Sequence, residues 1–486
     1  MLYCIKMETL EETGKIEYFF HNIAVISGLS NSKLEELLIT ETGKKGIVFS
    51  IRENNVEALM IDIEGLKVGE RVKATQRPLE IPVGEKLLGR IINPLCEPLD
   101  KRGKINQNVE FLPLKREAPP VIERARIKKH LETGVIGVDL LVPLGYGQRE
   151  LIVGDPKTGK TTFLLQALTS QIKEGAIGIY VGIGKKDSSI KIVENYLKET
   201  GAFERVIIIH TPPDESSTLL YLAPFSGMTI AEHFRDKGEN VLIVFDDLST
   251  HAKIYREISL LLKRVPGRDC YPGDIFHLHA NLLERAGNIK KNGKEVSITA
   301  LPVGETLEND ISGYITTNLM AMTDGHIFFD VEEFRKGKRP AINYFLSVSR
   351  VGNQTKYPIE RMVATLIRKI LLEYKNLLEF LQFSTEISPE SEKILELGKK
   401  LEAIFSQSPK VTIKREAQLI IIALLFLDFW HGTPLEKIQQ EVEKIAKAFE
   451  KGLIPPLGEK LSDIKDLEHL KFLVKRIQPS IEKILK

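Results

Sequence analysis

The sequence predicts three successive domains of different class: a small β-barrel over residues 1–76, an α/β domain over 77–358 and an α-helical bundle over 359–486. Three patterns predict this order. The first part is a series of short β-branched stretches separated by polar turns, the middle alternates apolar runs with amphipathic segments, and the last repeats apolar residues at spacings of three and four. At 486 residues the chain exceeds one typical core, which agrees with two or three domains.

In the first domain, 16–20, 23–26, 45–51, 56–61 and 71–75 read as strands, with Gly, Asn, Asp and Glu in the turns. Short, evenly spaced strands without a helix suggest a closed barrel, because closure leaves no unpaired edge. In the middle, 150–153, 177–181, 205–209, 241–246 and 297–302 are predominantly apolar, the pattern of parallel strands buried on both faces. Amphipathic segments such as 188–200 and 218–237 lie between them, so the domain reads as doubly wound α/β. In the last domain 362–383 and 438–449 carry helical periodicity. The most apolar run, 419–427, is far too short to span a bilayer and reads as a buried helix.

Composition narrows the function. A hydrophobic share of 43% and a charged share of 28% fit a folded globular chain rather than a disordered one. The net charge of +2 creates no global field that would draw nucleic acid or anionic lipid. The three cysteines, Cys4, Cys96 and Cys270, are odd in number and scattered, which argues against a disulfide framework or zinc site and fits a reducing compartment. Residues 1–18 lack the apolar core of a signal peptide. Any membrane association is therefore expected to run through partners.

One motif carries chemistry. Gly154-Asp155-Pro156-Lys157-Thr158-Gly159-Lys160-Thr161 matches the phosphate-loop pattern in full, between a predicted strand and an apolar helix that continues through Thr162. Glycines let the backbone curl so that amide N–H groups face phosphate oxygens, and the helix N-terminus adds partial positive charge. Lys160 is placed to reach the β- and γ-phosphates, and Thr161 to offer its hydroxyl to magnesium. The second magnesium contact, through water, is expected from Asp246 at the end of an apolar strand, with Asp247 the next choice. The competing reading is that these are strand-end carboxylates capping the following helix.

On these residues and several further stretches the chain resembles the alpha subunits of F-type ATP synthases, from about residue 13 to 453. The likeness rests on Glu132-Thr133-Gly134 through Val138-Asp139, on Gly147-Gln148-Arg149-Glu150-Leu151-Ile152, and on Asp246-Asp247-Leu248-Ser249. It continues in 266–274, in Leu282-Leu283-Glu284-Arg285-Ala286 and in 346–352. The resemblance implies an alternating hexamer with catalytic beta subunits, built as a barrel crown, a RecA-like phosphate-loop domain and a helical base. It implies ATP or ADP with Mg2+ as ligands. It further implies contacts with a central rotor stalk and a peripheral stalk, a membrane sector reached only through the complex, no nucleic acid, and a peripheral place on the cytoplasmic face of the plasma membrane. The work of such a machine is ATP synthesis or hydrolysis coupled to protons or sodium.

Within that family the catalytic subunits carry a water-orienting glutamate after a Gly-x-Gly turn. Here the turn is Gly182-Ile183-Gly184 and the next residue is Lys185, a cation with donors only, which cannot act as a base. Whether Lys185 faces the pocket or is a solvated surface lysine is left open by the sequence. Asp187 is the nearest carboxylate, displaced by two positions. The resemblance therefore implies a non-catalytic subunit that supplies Arg350 as an arginine finger to its neighbour, with Ser347 helping to shape that stretch. It also places Arg339-Pro340 beside the adenine and Gln407 near the base.

The chain departs from the family in four places. Pro156-Lys157 replaces Arg-Gln, Lys185 replaces a glutamine, Ala321 replaces a serine, and the N-terminal segment before the barrel is short. Two alternatives compete with this reading. A self-sufficient hexameric ATPase of the flagellar or type III secretion kind needs a glutamate in the 182–187 turn. An RNA translocase like the terminator Rho needs a basic barrel with stacking aromatics.

Overall fold

In the computed structural model, which describes residues 12–105, 109–381 and 388–485, six strands close the N-terminal barrel. They are β1 (Thr13–Phe20), β2 (Ile23–Ser27), β3 (Glu36–Thr40), β4 (Lys45–Ile51), β5 (Asn55–Met60) and β6 (Arg71–Pro78), in the order β1-β2-β5-β4-β3-β6 with β6 returning to β1. Ile26, Leu38, Val48, Val56 and Val72 fill the interior. The sequence reading missed β3. Its Glu-Glu-Leu-Leu run fits a helical spacing as well as a strand, and pairing on both sides, to β4 and β6, decides the matter. Cys4 lies outside the described residues.

Two small ribbons follow, β7 (Glu80–Val83) with β9 (Glu110–Pro113) and β10 (His130–Leu131) with β11 (Leu144–Gly145), together with the edge strand β8 (Ile91–Ile92) and helix α1 (Ile136–Leu141). The main sheet adds β12 (Leu151–Gly154), β13 (Ile177–Ile183), β14 (Val206–Thr211), β15 (Val241–Asp246), β16 (Gly287–Lys291), β17 (Lys294–Glu305), β18 (Gly325–Phe329) and β19 (Val348–Ser349). Its order is β19-β18-β12-β17-β15-β13-β14-β8, with β16 hairpinned onto β17 through Asn292-Gly293. All five strands expected in the middle domain are present and mutually parallel, while β8, β16, β18 and β19 were not foreseen.

Strict alternation explains how one sheet buries both faces. On β15, Leu242 and Val244 face a core shared with α1, α2 (Lys160–Lys173) and α3 (Asp187–Glu199). Val241, Ile243 and Phe245 face a second core. That core is shared with α4 (Ser217–Asp236), α5 (Leu248–Leu261), α6 (Ile275–Glu284) and α7 (Tyr314–Met322). The barrel joins this second core through Ile23, Ile47 and Leu59. After the short α8 (Val331–Arg335) comes the helical part, α9 (Pro358–Phe380), α10 (Pro389–Phe405), α11 (Arg415–Phe426), α12 (Leu435–Glu450) and α13 (Leu467–Leu485). Its apolar core runs without a break into that of α1 and α2. Helix α11 is buried from Ala417 to Leu425, as its run of apolar residues from Leu419 requires, and the one polar side chain in that stretch, Gln418, donates to Asp139 and to the Ile413 carbonyl. Among the described residues no helix is long and apolar enough to cross a membrane.

Candidate functional site

The phosphate loop joins β12 to α2. Gly154 passes so close to β18 that a Cβ there would lie 2.3 Å from the Phe329 carbonyl oxygen, and Gly159 caps α2 in the left-handed region at φ +101°. Behind the loop, the Asp155 carboxylate accepts hydrogen bonds from the Thr306 hydroxyl (2.6 Å) and the Asn309 N–H (3.0 Å). Thr158 closes the turn by donating to the Asp155 carbonyl at 2.8 Å. Pro156 and Lys157 stand exposed at the tip. Lys160 is 7% exposed, and burial lowers the pKa of its ammonium. Its Nζ donates to the carbonyls of Gly154 and Asp155, both at 2.7 Å. Charge-assisted bonds to phosphate are stronger than bonds to a neutral carbonyl, so arriving phosphate takes over these donors. Thr161 and Thr162 line the same cleft, which Lys185, Asp246 and Glu305 also border.

Asp246 ends β15, separated from β12 by β17 alone. It is paired across the sheet with Gly182 of β13, and Tyr180 of β13 together with Lys185, just past the end of that strand, meets both of its oxygens. The Tyr180 hydroxyl donates to Oδ2 at 2.5 Å, and Lys185 Nζ lies 2.8 Å from Oδ1. Gly182 makes room for Ile190 of α3, whose Cδ1 would lie 2.7 Å from a Cβ at this position. With its ammonium on Asp246, Lys185 faces the cleft and is not a solvated surface lysine. Burial opposes its charge, but Asp246 and Asp247 outweigh that and raise its pKa. Asp247 takes the bland role of helix cap, accepting from the Thr250 N–H (2.5 Å) and hydroxyl (3.1 Å) of α5, and burial pushes its carboxyl up to about 6. Asp187 is exposed, pairs with His210 Nε2 at 2.7 Å and does not border the cleft.

Holding magnesium through water requires a carboxylate with lone pairs open to the cleft. Tyr180 and Lys185 each bind one oxygen of Asp246, which leaves each oxygen a second lone pair, but an ammonium beside the carboxylate repels a second cation. The expected Asp246–Thr161 magnesium site does not fit this donor set. The Thr161 hydroxyl makes no hydrogen bond to a described residue and borders the cleft. Glu305, missed from the sequence, ends β17 between the phosphate loop and Asp246, with no hydrogen bond to its carboxylate among the described residues. An acid at the end of a buried strand was the available signal. What was lacking was the strand order.

Arg350 lies at the other end of the sheet. Ser349 pairs with Gly325, the first residue of β18, whereas Phe329, its last, pairs with Gly154. Four residues of strand separate the two levels, roughly 13 Å at about 3.3 Å per residue. Arg350 is exposed, and among the described residues its guanidinium makes no hydrogen bond or ion pair. Its base is rigid. The Arg350 N–H donates to the Asp324 carbonyl (2.9 Å), and Arg149 clamps the Asp324 carboxylate with Nη2 at 2.9 Å and Nε at 3.2 Å. Ser347, 5% exposed, donates to the Asn343 carbonyl (2.7 Å) and accepts from the Phe328 N–H (3.0 Å). Its hydroxyl is committed to this loop, three residues before Arg350.

Arg339, exposed, and Pro340, half-buried, form a turn in which the Arg339 guanidinium stacks 3.6 Å above the Phe334 ring. Gln407 reaches this turn, its backbone N–H donating to the Arg339 carbonyl at 2.7 Å. Its buried side chain donates to the carbonyls of Gly134 (2.7 Å) and Val411 and accepts from the Ile136 N–H (3.3 Å). The amide braces the helical part against the nucleotide domain and has no hydrogen left for a base.

Residues 134–349 match the ATP synthase alpha/beta family, nucleotide-binding domain, and 354–482 match the ATP synthase alpha/beta chain, C terminal domain. The chain is 38% identical over 478 residues to the ATP synthase subunit alpha of Helicobacter pylori (strain HPAG1), covering 98% of this chain and 93% of that one. It is 41% identical over 436 residues to the ATP synthase subunit alpha of Dictyoglomus turgidum (strain DSM 6724 / Z-1310), covering 90% and 86%. With the barrel, the phosphate-loop sheet and the helical base in the same order, the chain belongs to the ATP synthase alpha/beta family, among its alpha subunits.

Proposed function

We propose that the chain is the non-catalytic, regulatory subunit of a rotary F-type ATP synthase, alternating with catalytic beta subunits in a hexamer. It holds ATP or ADP on the loop 154–162 with Lys160 at the phosphates, and it inserts Arg350 into the neighbour's site. Arg339 and Pro340 border the adenine, and Gln407 holds that turn in place. The complex carries out ATP synthesis or hydrolysis coupled to proton or sodium transport on the cytoplasmic face of the plasma membrane. The chain meets the rotor and peripheral stalks there and reaches the membrane only through the complex.

The observation that carries this reading is the separation of Arg350 from the chain's own phosphate loop by the length of β18. An unpaired guanidinium that cannot reach its own nucleotide is suited to one bound next door. Lys185, where a catalytic subunit needs an acceptor, supports the non-hydrolytic role. Nucleotide titration of the purified chain tests the division of labour. Lys160→Ala is expected to abolish binding and Arg350→Ala to leave it intact. Unchanged affinity in the first, or lost affinity in the second, would contradict it.

A self-sufficient ATPase is the second reading, and Glu305 is the observation in its favour, as a carboxylate bordering the phosphate cleft. It requires that the isolated chain turn over ATP and that Glu305→Gln stop it.

A further inference from the structure

The cleft that borders the phosphate loop is arranged around a cation belonging to the chain. Lys185 crosses from the end of β13 to Asp246, and two features hold it there: the ion pair at 2.8 Å and the Tyr180 hydroxyl fixing the opposite oxygen of the same carboxylate. The second acid, Asp247, lies 3.7 Å from Nζ and spends its oxygens capping α5. An ammonium has three donors. Asp246 takes one, and two remain for the cleft. Three lysines, Lys157, Lys160 and Lys185, face Asp246 and Glu305 at the border of the cleft, with Asp247 just behind them, so the acids of the cleft are already balanced by the chain's own ammonium groups before any metal enters. A magnesium ion bridging phosphate and Asp246 would have to evict Lys185 from a partly buried ion pair and leave it beside a second cation.

We propose that Lys185, anchored by Asp246, takes the place of magnesium, so that this site binds the metal-free nucleoside di- or triphosphate. The proposal rests on the nucleotide-binding reading above and narrows it to the form of the ligand. Lys160 and Lys185 then grip the phosphate chain from its two sides, and nucleotide occupancy becomes insensitive to free magnesium.

The test is titration of the full-length chain, stripped of nucleotide, with a fluorescent ATP analogue in excess EDTA and in millimolar magnesium. The wild type is expected to bind with dissociation constants equal within about threefold. Lys185→Gln is expected to lose about tenfold or more in EDTA, the scale of a lost charge-assisted hydrogen bond, and to recover with magnesium. Lys185→Arg keeps the charge and is expected to bind in EDTA, which separates the role of the cation from any folding defect of the glutamine variant. Binding by the wild type only with magnesium overturns this proposal alone. Equal responses of wild type and Lys185→Gln to the metal also overturn it. Failure to bind in either buffer overturns it together with the nucleotide reading.

Discussion

The two ends of the β12–β18 pair are built in opposite ways. At the phosphate-loop end four charged groups are held within the chain: Lys160 on two carbonyls, Lys185 on Asp246, and Asp155 on Thr306 and Asn309. At the far end the Arg350 guanidinium makes no hydrogen bond or ion pair among the described residues, yet the backbone beneath it is tied by Asp324, Ser347 and Arg149. A group meant for the chain's own ligand can be held in reserve by internal contacts that the ligand displaces. A group meant for a neighbouring subunit is left free on a rigid base, so that its ordering entropy is reduced before the partner arrives. The ends are also connected. Asp330 accepts from Asn309 behind the phosphate loop and from Asn343 beneath Ser347, both at 3.0 Å.

That contrast can be broken experimentally. The largest effect is expected from Arg350→Ala in the assembled ring, where loss of an arginine finger lowers turnover by roughly 10³–10⁵, or about 4–7 kcal/mol. A fully active mutant ring would remove the far end from the comparison. Asp330→Ala strips the shared link, leaving the Asn309 and Asn343 amides and the α8 cap without their acceptor. Denaturant unfolding is expected to show a loss of about 2–3 kcal/mol, with both nucleotide binding and ring turnover weakened. If only one of the two falls, the ends are independent. Ser347→Ala is expected to lower ring turnover by about tenfold while leaving nucleotide binding by the chain unchanged. Ala321→Ser, three residues before the Asp324 that holds Arg350, is the mildest. One added hydroxyl is worth at most about 1 kcal/mol, so ring turnover is expected to rise by no more than about fivefold.

The phosphate-loop end was legible in the sequence because its chemistry is local. Eight consecutive residues and a strand on each side define it, and the predicted strand ending at Asp246 is present. What Asp246 touches was not legible, because that depends on β13 lying beside β15, a relation between residues about sixty positions apart. Glu305 was missed for the same reason: the insertion of β17 between β12 and β15 brings it to the cleft. The identity of Arg350 came from its resemblance to a family motif. Its isolation from the chain's own nucleotide appears only in the antiparallel register of β19 on β18. Barrel strand β3 and the short strands of the main sheet were lost to the same limit, since tertiary pairing settles what a five-residue run leaves open.

On the proposed function the site holds nucleotide and does not cleave it. Phosphate release from the purified full-length chain loaded with radiolabelled ATP tests this most directly. The nucleotide is expected to be recovered as ATP with no release above the uncatalysed background. Release at an ordinary enzymatic pace, on the order of 1 s⁻¹ or faster, would contradict the account, and its loss in Glu305→Gln would identify the carboxylate responsible.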